Sequence, residues 1–190
     1  LVPELRLPAR PAIRFVFPHA PIRPVTLNGG WRMRAWYDIV GLDRQAPQDV
    51  AGIRESAEGL RALIAREGER GVPPGRVVLA GFSQGGAIVL YAGLRHPQRL
   101  GGLVALSTYL PLDDHLAAEA HPANAAVPIF MAHGTLDPTV PFALGDGTRR
   151  LLVGGGYDVR FRTYPMGHSV CLEEVADISA FLQEALLGSA

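Results

Sequence analysis

No lysine occurs in the 190 residues: the 18 basic side chains are all arginine, matched by 18 acidic ones. The absence removes a nucleotide-binding P-loop lysine and a lysine Schiff base. Zero net charge removes the broad basic field that would point to nucleic acid. The one cysteine, Cys171, has no internal disulfide partner, which fits a reducing, cytoplasmic compartment. No apolar run is long enough to span a membrane, and the first residues lack the uninterrupted apolar core of a secretory signal. Neither H-E-x-x-H nor C-x-x-C spacing is present, so a metal hydrolase has little support. With 48% hydrophobic residues, the length fits a single domain over residues 1–190 with a substantial core.

Glycine, by contrast, is plentiful at 22 residues, and four of these lie between Arg76 and Leu94. There the β-branched and apolar run Val77–Ala80 is followed by Gly81-Phe82-Ser83-Gln84-Gly85-Gly86 and then by the apolar stretch Ala87–Leu94. A strand, a sharp turn and a helix are what a G-x-S-x-G nucleophile elbow requires. Gly81 and Gly85 remove Cβ atoms that would clash at the turn, and Gly86 lets the helix approach the strand. Ser83 is thereby a candidate nucleophile. The Gln84 N–H, in the first turn of the helix, is a candidate oxyanion donor.

Periodicity organises the rest. Ile13–Phe17 reads as a short buried strand, and residues 19–48 as a long irregular stretch rich in proline, glycine and aromatics. Within it Trp31, Met33 and Trp36 are candidate substrate-binding residues, against the plainer reading that they staple a loop to the core. Residues 49–69 carry a clear helical stripe; 102–107, 128–132 and 158–164 read as strands; 142–153 and 172–187 read as helices. Strands alternating with helices imply an α/β fold, a mostly parallel sheet with helices on both faces.

A serine needs a base, and the base an orienting acid. Ligands of open α/β sheets gather at the carboxyl ends of the strands. Those ends carry Ser83, Asp137 in His133-Gly134-Thr135-Leu136-Asp137-Pro138, and His168 in Pro165-Met166-Gly167-His168. The order Ser, Asp, His is that of α/β hydrolases. Asp113 and Asp114 are alternative acids on another strand's loop. His133 reads as structural within the Asp137 loop, and Cys171 as a small packed residue near His168.

Phe17-Pro18-His19-Ala20-Pro21, Trp36-Tyr37-Asp38-Ile39, the elbow, His133-Gly134-x-x-Asp137-Pro138 and Met166-Gly167-His168 occur in that order. Together they resemble the phospholipase/carboxylesterase family, which includes bacterial carboxylesterases and acyl-protein thioesterases. Arg23–Gly30 looks like the bacterial carboxylesterase branch. The resemblance implies an α/β-hydrolase fold, no cofactor, and hydrolysis of short-chain acyl esters by Ser83, Asp137 and His168, with a small-molecule ester as partner and a homodimer left open. An acyl-protein or acyl-CoA thioesterase with the same triad, and a catalytically silent binding domain, are the alternatives. Family members begin with a strand ending in His-Gly-Leu-Gly, which supplies the second oxyanion donor. Nothing before Ile13 matches it, so the resemblance implies an N-terminally truncated fold, with the gap between Ile13–Phe17 and the elbow strand.

Overall fold

The computed structural model describes residues 2–9, 12–41 and 46–188. Its centre is a four-stranded parallel sheet of β3 (Val78–Phe82), β4 (Gly102–Leu106), β5 (Ile129–Gly134) and β6 (Val159–Tyr164), adjacent in that order. β4 and β5 are buried at every residue, which is why both read as unbroken apolar runs rather than as alternating ones. Side chains of successive residues leave a strand on opposite faces. Leu79, Leu103, Ala105, Ile129 and Met131 therefore join one core cluster, with residues of α1 (Val50–Glu69), α2 (Gln84–Leu94), α3 (Leu116–Glu119) and α4 (Phe142–Gly154). Val104, Leu106, Phe130 and Ala132 join the other, against α5 (Leu172–Leu187) and Leu5 of an N-terminal 3₁₀ turn.

Two features differ from the reading of the sequence. Ile13–Phe17 forms no strand and is not buried: Phe15, Val16 and Phe17 are exposed, Phe17 by 68%. Residues of high β-propensity need a neighbouring ladder and a face to pack on, and this stretch has neither among the described residues. Conversely, residues 19–48 are not irregular throughout. They contain an antiparallel hairpin of β1 (Ile22–Val25) and β2 (Trp31–Arg34), paired from Ile22↔Arg34 to Val25↔Trp31. Gly29 and Gly30, at φ of 67° and 79°, turn the chain between them, conformations that a Cβ would oppose. Residues 42–45 of the stretch lie outside the described residues.

The hairpin is tied to the body at its base. Arg23 pairs with Asp49 at 3.9 Å and with Glu55 at 3.0 Å. Asp49 also caps α1 by accepting from the Gly52 N–H at 2.9 Å, an arrangement whose loss costs about 1 kcal/mol. Ala35 and Tyr37, just beyond β2, are buried.

Among the described residues β3 lies at one edge of the sheet. Val77 C=O accepts from Gly101 N–H, just before β4, and Ser83 N–H donates to Leu106 C=O at its end, so with the alternation of a strand the groups of Val78, Ala80 and Phe82 face away from β4. Among the described residues no hydrogen bond meets them.

Candidate active site

Three of the four sheet strands end at one cluster of side chains. At the end of β3, Ser83 has φ 54° and ψ −124°, a strained conformation costing about 1–3 kcal/mol. Its N–H donates to Leu106 C=O at 2.8 Å, and its C=O accepts from Ala87 N–H at 3.1 Å to begin α2. The turn has no room for side chains: a Cβ on Gly81 would lie 2.3 Å from the Gly85 carbonyl carbon, and one on Gly86 would lie 2.8 Å from Thr108 Cγ2.

The loops after β5 and β6 are laced together. Thr135 N–H donates to Tyr164 C=O at 2.8 Å and Leu136 N–H to Met166 C=O at 3.1 Å. A Cβ on Gly134 would sit 2.3 Å from the Met166 oxygen, so close approach of the loops requires glycine there. The result places His168 Nδ1 2.7 Å from Asp137 Oδ2, and His168 Nε2 2.9 Å from Ser83 Oγ. The Phe82 ring packs tilted on the imidazole, centroids 4.6 Å apart.

Asp137 is held as an acceptor. Its Oδ1 receives the Thr139 and Val140 N–H groups at 2.8 and 2.9 Å. Burial pushes its carboxyl up, but the His168 hydrogen bond and the two amides outweigh that and hold it below the usual carboxylate range. An ionised carboxylate only accepts, so Nδ1 carries the imidazole proton. Nε2 then presents its lone pair to the serine hydroxyl. Chemically this is a hydroxyl beside a base, with the base oriented by an anion.

Gln84 does more than its position in the sequence implies. Its N–H opens α2, where first-turn amides have no intrahelical partner. Its side chain accepts from Trp36 N–H and donates to Tyr37 C=O, both at 2.7 Å. Ser56 Oγ also bonds Trp36 C=O, and Tyr37 meets Tyr109 through their hydroxyls at 3.2 Å. Trp36 thus lies beside the elbow: a Cβ on Gly85 would be 3.6 Å from its Nε1.

The chain resembles known proteins over nearly all of this frame. The phospholipase/carboxylesterase family matches residues 6–186. The chain belongs to that family. Its members are hydrolases, and among its relatives is acyl-protein thioesterase 1 of Neurospora crassa, 47% identical over 183 residues that cover 92% of this chain and 74% of that protein. Acyl-protein thioesterase 1 of Mycosarcoma maydis is 40% identical over 94% of this chain and 80% of its own length. In three dimensions, SOBER1 of Arabidopsis thaliana superposes with a TM-score of 0.91 at 30% identity, over 97% of this chain and 89% of that one. Acyl-protein thioesterase 2 of Zea mays does so with 0.78 at 30% identity, over 89% and 80%.

Of the residues singled out in the sequence, the α/β-hydrolase frame brings together Ser83, Asp137, His168, Gln84 and Trp36. Trp31 and Met33 stand on the hairpin, Trp31 78% exposed, and among the described residues no hydrogen bond or ring contact joins them to the cluster. His133 is buried, with Nε2 2.9 Å from Val140 C=O, within the Asp137 loop. Asp113 and Asp114 lie on a separate 3₁₀ turn, and it is Asp137 that meets His168. The Gln84 bridge was not apparent from the sequence because its two ends are 48 and 47 residues apart. Thr108, beneath Gly86, also carries no local signal.

Proposed function

We propose that the chain hydrolyses acyl esters through an acyl-enzyme on Ser83. The carrying observation is the relay of two hydrogen bonds, from Ser83 Oγ to His168 Nε2 and from Nδ1 to a buried, ionised Asp137. Ser83 Oγ attacks the carbonyl carbon while His168 Nε2 takes its proton. Asp137 stabilises the imidazolium and keeps its tautomer. The Gln84 N–H donates to the tetrahedral oxyanion. His168 then gives the proton to the departing oxygen or sulfur, so that an alcohol or thiol leaves. Water, deprotonated by the same nitrogen, releases the carboxylic acid and restores Ser83.

An acyl portion is favoured by the rim. Phe82 and Leu136 adjoin Ser83 and Asp137 in the chain, Val170 and Leu172 follow His168 by two and four residues, all four are exposed, and Trp36 adds an aromatic edge. Short-chain carboxylic esters are the first substrate class. Thioesters are the second, supported by the names of the relatives at 40–47% identity. Both present the same carbonyl to Ser83.

Ser83→Ala should lower kcat on p-nitrophenyl butyrate by about 10⁴–10⁶-fold with its unfolding transition retained. A fluorophosphonate should label the parent protein and not this variant. Undiminished hydrolysis in a folded Ser83→Ala protein rejects the mechanism, and a folded parent that takes no label favours a silent binding domain. Rates on matched oxygen and sulfur esters separate the two substrate classes.

A further inference from the structure

A second imidazole lies buried behind the one that faces Ser83. His133, in β5, is only 1% exposed, and a polar ring is costly to bury unless it is bonded. Its Nε2 lies 2.9 Å from the Val140 C=O. A carbonyl only accepts, so Nε2 carries a proton and donates it. Two contacts from α4 fix the ring. Phe142 meets it edge-on, centroids 5.9 Å apart. A Cβ on Gly145 would lie 2.3 Å from its Nδ1, so α4 comes this close only because that position is glycine.

Val140 is where this ring and the Asp137 carboxylate meet. Its N–H donates to Asp137 Oδ1 at 2.9 Å while its C=O accepts from His133. His133 Nε2 is also 3.6 Å from Asp137 Oδ2, too long for a hydrogen bond. Its proton is directed at Val140 instead, so it does not compete for the oxygen that His168 Nδ1 meets at 2.7 Å. His133, Asp137 and Val140 are all buried, where a lost hydrogen bond is not made good by solvent.

On the triad reading proposed above, we infer that His133 is a positioning residue for Asp137: by holding Val140 it keeps Oδ1 on the loop amides and leaves Oδ2 to His168 alone. It acts only through Asp137 and touches none of the reacting atoms. Without its ring, the Val140 C=O is left buried and short of a donor. The loop then shifts to satisfy it and draws the Val140 N–H off Oδ1. A carboxylate so released rotates, and the imidazole loses the orientation on which proton transfer depends.

The test reads ester kinetics together with the far-downfield proton resonance of the His168 N–H bonded to Asp137. His133→Leu should lower kcat on p-nitrophenyl butyrate about 10–100-fold with KM little changed, and the resonance should weaken and move upfield. His133→Gln, whose amide N–H reaches the place of Nε2, should restore most of both. Gly145→Ala keeps every polar group and pushes the ring aside. Alanine is the better helix former, so a fall in kcat there comes through His133. Leu152→Ala, buried elsewhere on α4, should lose stability yet keep the parent's kcat and resonance, which separates positioning from general loosening. Parent-like kcat and resonance in a folded His133→Leu protein, or a His133→Gln protein no better than it, overturns the inference. If His133→Leu does not fold, parent-like readings in Gly145→Ala overturn it instead. A parent that hydrolyses no ester and takes no fluorophosphonate rejects the mechanism, and the resonance then still reads whether His133 holds the Asp137–His168 pair.

Discussion

Leu103-Val104-Ala105-Leu106 and Ile13-Arg14-Phe15-Val16-Phe17 are comparable stretches of strand-forming residues with opposite fates. The first is wholly buried in β4, paired on both sides. Among the described residues the second has no ladder, and Phe15, Val16 and Phe17 are exposed. What separates them is the company each keeps. A β-rich run contributes to the core only where strands flank it and helices cover it. The chain thus has a stiff half, β3 to α5, which carries Ser83, Asp137 and His168, and an N-terminal part joined to it by the Gln84 bridge, by Tyr37, Ile53 and Ala57 packed on α2, and by Leu5 packed on α5.

The sharpest way to break the stiff half is at its buried anion. Asp137→Asn should lower kcat about 10⁴-fold, because an amide at this position permits the wrong imidazole tautomer; ester kinetics on the folded variant measure it. Next comes a paired substitution across the contrast itself. Phe130→Ala, in the middle of β5, should cost about 3–5 kcal/mol, whereas Phe17→Ser should change stability by less than about 0.5 kcal/mol. Denaturant titration of both variants reads the difference, and equal losses would erase the distinction drawn between the two regions.

A pH-dependent contrast follows from Glu174, in the first turn of α5. It is wholly buried, and neither carboxylate oxygen has a hydrogen-bond partner among the described residues. Burial pushes its carboxyl up to about 7; the nearby Cys171 amide pulls the other way, and the Asp177 charge adds a smaller push upward. The folded protein therefore holds a proton there that the unfolded chain releases above its ordinary value of 4.5. Stability from this residue is complete below that value and is lost as pH rises through about 7. The loss amounts to about 3 kcal/mol. Glu174→Gln should flatten the decline of stability between mildly acid and mildly alkaline pH, read as unfolding free energy across that range. Asp137 acts with the opposite sign, its contribution being lost only in strong acid as pH falls through its lowered value.

The smallest expected effect lies at the joint between the regions. Gln84→Ala removes both bonds to the Trp36–Tyr37 backbone. It should raise KM for a short-chain ester about tenfold with kcat less affected, corresponding to about 1.4 kcal/mol of positioning. Steady-state kinetics separate the two parameters.

Ser83, Asp137 and His168 were legible in the sequence because each follows directly on a strand of one parallel sheet. Strand ends and chain order therefore suffice to bring them together. The helical stripe of α1 and the continuous apolar runs of β4 and β5 were legible for the same local reason. The hairpin was not: its strands are four residues each, Pro24 interrupts one, and arginines alternate through the other without a buried face to match. Trp36 reaches the site through a side chain far away in sequence, and Glu174 is orphaned by packing; neither leaves a local pattern.

Among the described residues Ser83 and His168 follow the two outer strands of the sheet, β3 and β6, while Asp137 follows the inner β5. A shift of β3 against β5 and β6 would therefore part Ser83 from His168 while leaving the His168–Asp137 pair, whose two loops are bonded to each other, intact.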